Sequence, residues 1–207
     1  MIIKSVEFAG AVARRGGPVP DRLPCIVFAG RSNVGKSSLI NTVLGRTRNR
    51  IARVSVTPGR TQEINFFRVV ARGRHRDHHF HLVDLPGYGF ARAPAAVREQ
   101  WAPLIEWFLA RPDVHGVVQL IDSRHGPTKD DLANIDRLAR LEIPVIIALT
   151  KTDKLRANQR RDAVAKWSRV LGVDPDQVIP FSSHTGEGRE ELLEGLDALL
   201  TEAEVDT

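Results

Sequence analysis

The chain has 207 residues, 42% hydrophobic and 27% charged, which suits one globular domain with a full core. No apolar run approaches the ~20 residues that span a bilayer. Glu7 comes too early for a secretory signal, and the single cysteine, Cys25, excludes an internal disulfide, so a cytoplasmic protein is expected. The net charge of +5 is uneven, because residues 1–185 hold 29 basic and 17 acidic side chains while the C-terminal stretch is acidic. Arginines crowd GRTRNRIARV, RVVARGRHR and KLRANQRRDAVAKWSR. That excess reads either as solvated faces or as the footprint of an anionic partner such as RNA.

In chain order, residues 1–22, with RRGGPVPD, read as an extension joined by a loop to a domain over 23–207. Short apolar runs then predict strands at CIVFAG (25–30), INFFRVVA (64–71), HFHLVDL (79–85), GVVQLID (116–122), PVIIALT (144–150) and QVIPFS (177–182). Several are apolar at nearly every position, as strands covered on both faces are. Helices are predicted at about 36–45, 95–110, 129–140, 158–171 and 188–203. Pro103 lies inside the second of these, and Leu192, Leu193, Leu196, Leu199 and Leu200 form one stripe of the last. Gly73 between two strand-like runs suggests a hairpin, and the other connections need crossover helices. The expected fold is an α/β three-layer domain with a mostly parallel six-stranded sheet, one strand antiparallel, and helices on both faces.

FAGRSNVGKSSLIN stands between the first of these strands and the first helix. Its residues Gly30 to Ser37 match GxxxxGK[ST], in the strand–loop–helix setting that makes the pattern a phosphate site. Glycines let backbone N–H groups wrap a β-phosphate at the positive end of a helix. Lys36 is placed to reach β and γ oxygens, and the Ser37 hydroxyl to bind Mg²⁺. Three later stretches name the nucleotide. DLPG, Asp84 to Gly87, supplies a carboxylate that holds the metal through water and an amide that senses a γ-phosphate. In TKTD, Thr150 to Asp153, Asp153 accepts from the N1 and N2 groups of guanine, donors that adenine lacks, while Lys151 lies along the base. FSS, Phe181 to Ser183, offers amides to the guanine O6. Their order at the carboxyl ends of strands points to GTP.

The combination of PGRTQ, DLPGYG and DSRHGP with these motifs resembles the EngB (YihA/YsxC) family of bacterial ribosome-biogenesis GTPases, over nearly the whole chain. The resemblance implies a P-loop GTPase of Ras-like fold that hydrolyses GTP slowly and works as a switch on large ribosomal subunits or their RNA. It places nucleotide contacts at Gly30, Arg31, Ser32, Asn33, Val34, Gly35, Lys36, Ser37 and Ser38. Further contacts fall at Gly59, Arg60, Thr61, Gln62 and Glu63 of the first switch, and at Asp84, Leu85, Pro86 and Gly87. The base pocket takes Thr150, Lys151, Thr152, Asp153, Phe181, Ser182 and Ser183. Mg²⁺ falls to Ser37, Thr61 and Asp84, and catalysis to Lys36, Thr61 and Gly87. Thr150 stands where most GTPases have asparagine, so one contact of the base pocket differs. Tyr88 stands where many have the glutamine that orients water, so unaided turnover is expected to be slow. Asn33 either helps hold K⁺ beside the phosphates, as in related GTPases, or stabilises the turn of the loop.

Other classes fit less well. A metabolic P-loop kinase has no use for TKTD with FSS, and GTPases of tRNA modification or membrane transport carry large additional domains or spans. His75, His78, His79 and His81 lack the spacing of a zinc site and read as an exposed strand end. Trp101, Trp107 and Phe108 read as helix packing, and Arg124 and His125 as structural or partner-binding. GTP or GDP, ribosomal particles and no membrane are the expected partners of a monomer.

Overall fold

The computed structural model describes residues 1–52, 63–88 and 95–202, with the backbone alone at 95–101 and 161. Among the described residues, seven strands form one sheet: β1 (Ile2–Val12), β2 (Cys25–Gly30), β3 (Ile64–Arg72), β4 (Asp77–Asp84), β5 (Val114–Asp122), β6 (Val145–Thr150) and β7 (Val178–Phe181). Their spatial order is β1-β3-β4-β2-β5-β6-β7. Five of them, β4 through β7 with β2, run parallel, and β3 is antiparallel to both of its neighbours. β3 and β4 make the expected hairpin, closed at Gly73, whose N–H donates to the Arg76 carbonyl at 2.7 Å.

The sheet has one strand more than the six expected, because the N-terminal segment is itself a strand on the outer side of β3. Its alternation is poor for a physical reason. An edge strand is covered on little more than one face, and β1 is bent by irregular register between Ile3 and Ser5 and between Phe8 and Gly10. Phe8 stays more than half exposed although its ring meets Phe67 edge-on at 5.9 Å.

Period-2 alternation sorts the sheet's side chains to two helical layers. On one face Phe28, Val118, Leu120 and Ala148 pack against α1 (Lys36–Val43) and the leucine stripe of α5 (Arg189–Glu202). On the other face Val27, Phe66, Val117, Ile147 and Leu149 meet α2 (Ala95–Leu109), α3 (Lys129–Arg140) and α4 (Ala157–Leu171). Phe108 is fully buried, edge-on to Phe66 at 5.5 Å, and Arg111 lies over the rings of Phe108 and Trp107 at 5.8 Å. Cys25 is also buried, and burial beside Asp113 pushes its thiol up to about 12. The reading of the four histidines as an exposed strand end fails for His78 and His81, which are buried because the same alternation sends them to opposite covered faces. His78 bonds to Asp197 of α5 at 2.6 Å, while His81 packs on Phe66, where burial lowers its pKa.

The consequence for function is positional. β2, β4, β5, β6 and β7 end along one rim, so Gly30, Asp84, Asp122, Thr150 and Phe181 come together there from positions up to 151 residues apart. Among the described residues, no helix is long and apolar enough to cross a membrane.

Candidate functional site

The turn after β2 is built from alternating backbone hands. Asn33 has φ 62° and Gly35 φ 107°, with the buried Val34 between them. Such alternation turns successive N–H groups inward, which makes an anion-binding concavity at the start of α1. At Gly35 the positive φ favours glycine, and at Asn33 asparagine is among the side chains that tolerate it.

Lys36 does not point to open solvent. Its Nζ pairs with the Asp84 carboxylate, and both side chains are less than 10% exposed. A buried charge left alone costs several kcal/mol, so the pair holds the phosphate-loop cation against the end of β4. The sequence-based expectation gave each of these residues a ligand; the fold also gives them to each other.

The DLPG turn lies directly on the phosphate loop. Ser32 donates its N–H to the Tyr88 carbonyl at 3.0 Å and its hydroxyl to the Gly87 carbonyl at 3.3 Å. In return, Tyr88 donates its N–H to the Gly30 carbonyl at 3.3 Å. These bonds extend the pairing of β2 and β4 by one bridge, between Arg31 and Tyr88.

At the other end of the rim, Thr150 uses its hydroxyl inside the protein, donating to the Val34 carbonyl at 2.7 Å and the Ile121 carbonyl at 3.3 Å. The bond to Val34 ties β6 to the phosphate loop. Lys151, with φ 63°, donates to the Asn33 carbonyl at 2.7 Å and to Asp122 at 2.8 Å. Burial raises the Asp122 pKa, but hydrogen bonds from Arg124 and Lys151 outweigh it and hold the carboxyl well below its usual range. Asp153 accepts from the Ser182 hydroxyl at 2.8 Å. Burial again acts upward there and is outweighed by Ser182 and Lys154, so the carboxylate is an anion at neutral pH. The Ser182 oxygen also accepts from the N–H groups of His184 and Thr185, and Thr152 donates to Glu187 at 2.7 Å.

The fold therefore brings together Gly30–Ser38, Asp84–Gly87, Thr150–Asp153 and Phe181–Ser183. Gly59, Arg60, Thr61 and Gln62 lie outside the described residues, and Glu63 is exposed just before β3. Four supporting residues escaped the sequence reading: Asp122, Ser182 in its role toward Asp153, Glu187 and Asn41. The buried Asn41 accepts from the N–H groups of Ile51 and Ala52 at 2.9 and 3.1 Å, anchoring the chain after α1. Asp122 alone left a signal, as a carboxylate at the end of an apolar strand.

Comparison with known proteins agrees with this geometry. The family described as 50S ribosome-binding GTPase matches residues 25–151, and the elongation factor Tu GTP binding domain matches residues 107–202. A protein of Gemmatimonas aurantiaca named "Probable GTP-binding protein EngB" is 50% identical over 97% of this chain and 95% of its own. Its namesake in Desulforamulus reducens is 45% identical over the same shares. The solved structure described as "Crystal structure of a probable GTP-binding protein engB" superposes with a TM-score of 0.65 at 26% identity, over 86% of this chain and 99% of that one. The Era structure solved with MgGDPNP and nucleotides 1506–1542 of 16S ribosomal RNA has a TM-score of 0.69 at 19% identity, over 86% of this chain and 57% of that one, a likeness of fold. With half of its residues identical along almost the whole length, the chain belongs to the EngB family of GTP-binding proteins, which hydrolyse GTP.

Proposed function

We propose that the chain is a GTP-driven switch whose GTP-bound form acts on assembling ribosomal particles, those of the large subunit in particular. The observation that carries the switch is the DLPG turn resting on the phosphate loop, since a group that senses a third phosphate has to lie there. The likeness to 50S ribosome-binding GTPases and the basic body of the chain support the ribosomal partner.

In this reading Gly30 to Ser38 surround the phosphates, and Lys36 exchanges the Asp84 carboxylate for β and γ oxygens. Gly87 meets the γ-phosphate, and Asp153, Lys151 and the Phe181–Ser183 turn hold guanine. The switch segment Gly59 to Glu63 would bring Thr61. GTPases of this fold work with Mg²⁺, and the Ser37 hydroxyl and Asp84 carboxylate are the hard oxygen donors that suit it. Once bound, the ion neutralises charge shared by the β and γ phosphates. Residues 23–207 form the GTP-binding domain and 1–22 the extension that edges its sheet, in a protein acting as a monomer in the cytoplasm.

Sedimentation with purified ribosomal subunits tests the partner. The form loaded with a non-hydrolysable GTP analogue is expected to pellet with large subunits more than the GDP form. Binding should fall steeply between 50 and 200 mM salt, as counterions return to the RNA, by on the order of 10³-fold if about six phosphates are contacted. Equal binding of both forms, or binding indifferent to salt, would count against this assignment.

A second expectation concerns rate. The Asn33 side chain is exposed on the phosphate loop and, among the described residues, makes no side-chain hydrogen bond. GTP hydrolysis is expected to run faster in K⁺ than in Na⁺ at matched ionic strength, with the difference lost in Asn33→Ala. Equal rates in the two salts would leave Asn33 with its turn alone, and the ribosome as the source of stimulation.

A further inference from the structure

Where many GTPases carry a water-orienting glutamine, this chain has Tyr88, and its hydroxyl is already committed. It donates to Asp131 Oδ1 at 2.7 Å and accepts from the amide of Gln119. Burial next to the Asp131 carboxylate raises the pKa of this phenol far above its usual value, so it stays a donor. Gln119 is fully buried in the middle of β5, and its carbonyl oxygen accepts from Asn134 of α3 at 2.7 Å. Asp131 is 1% exposed, and its second oxygen accepts from the N–H and hydroxyl of Thr128, the N-cap of α3, at 2.8 and 2.7 Å.

Capping a helix does not require this arrangement. Thr128 and Asp131 complete the capping box between themselves, and an apolar pair at 88 and 119 would fill the same space without any polar group to satisfy. What the network adds is a fixed path. Tyr88 is joined through its backbone to Gly30, Arg31 and Ser32, and through its side chain to β5 and the first turn of α3. Gly87 immediately precedes Tyr88 and its carbonyl accepts from the Ser32 hydroxyl at 3.3 Å, so its position follows that of Tyr88.

We propose that Tyr88 is a positioning residue for the γ-phosphate: its hydroxyl, gripped by Asp131 and Gln119, holds Gly87 where a third phosphate is recognised, and so sets the preference for GTP over GDP. This rests on the reading of Gly30–Ser38 and Gly87 as the phosphate site. GDP ends at the β-phosphate, which the phosphate loop serves alone, so only GTP binding depends on the hydroxyl.

The test is titration of wild type, Tyr88→Phe and Asp131→Asn with fluorescent GDP and a fluorescent non-hydrolysable GTP analogue, alongside thermal melting. Tyr88→Phe is expected to keep GDP affinity within about twofold and to lose about five- to tenfold toward the analogue, less than the full worth of a hydrogen bond to a charged group because only the part that positions Gly87 reaches the nucleotide. Asp131→Asn keeps the shape and weakens the same bond, so the ratio should move the same way by about two- to threefold, and it serves if Tyr88→Phe does not fold. A lower melting temperature with the wild-type ratio of affinities, in either variant, would make the tyrosine a packing residue and overturn the proposal. Wild type binding neither nucleotide would overturn instead the phosphate-site reading beneath it.

Discussion

Asp153→Asn is expected to lose GTP affinity by roughly ten- to a hundredfold while gaining affinity for xanthosine triphosphate. In the proposed base pocket the carboxylate would accept from two guanine donors, N1–H and the N2 amine, and hydrogen bonds to a charged group contribute about 1.5–3 kcal/mol. Asparagine keeps one acceptor and turns the other position into a donor. That donor faces the guanine amine badly and the xanthine oxygen well. The surrounding structure should tolerate the change, because Ser182 donates to Asp153 Oδ1 at 2.8 Å and an amide oxygen can still accept that bond. The ion pair with Lys154 would be lost, but Lys154 is well exposed and such pairs contribute little. Competition binding with GTP, XTP and ATP reads the outcome directly. Unchanged preference for GTP would remove Asp153 from the base pocket and with it the assignment of guanine.

Gly188→Ala should be among the most damaging single-methyl changes in the chain. Gly188 has φ 79°, and a Cβ there would stand 2.0 Å from the Pro180 carbonyl oxygen, a backbone atom that no rotamer change can move. The strain of the left-handed conformation alone costs ~1–2 kcal/mol for an L-residue, and the collision adds to it. A total near 3 kcal/mol would lower the melting temperature by on the order of 5–10 °C for a chain of this size. The displaced backbone belongs to the turn in which Ser182 donates its N–H to the Glu187 carbonyl at 3.0 Å, so the hydroxyl that orients Asp153 moves too. Guanine nucleotide affinity should therefore fall together with stability. Gly186→Ala is the internal comparison: its φ is 84° but nothing lies within 4 Å of its Cβ, so it should show the backbone strain alone. Equal melting temperatures for the two variants would show that the turn yields without cost.

Local sequence determined the parts of this protein whose chemistry is local. The phosphate loop is legible because its glycines, lysine and serine fall within one eight-residue stretch, and backbone hand and helix start follow from nearest neighbours. The buried strands β2, β5 and β6 are legible because a strand covered on both faces is apolar at most positions. DLPG, TKTD and FSS could be ordered along one rim because parallel strands end at the same side of a sheet. What the tertiary structure decided lies between segments. The pairing of Lys36 with Asp84 spans 48 positions, and that of Thr150 with the Val34 carbonyl spans 116. No pattern in either segment specifies these contacts, because each is set by which strands become neighbours. β1 was hidden for the related reason that an edge strand need not look buried. Nothing in the sequence singles out Gln119 or Asp131; the fold brings Tyr88 between them, and a polar group in a core has meaning only through its partner.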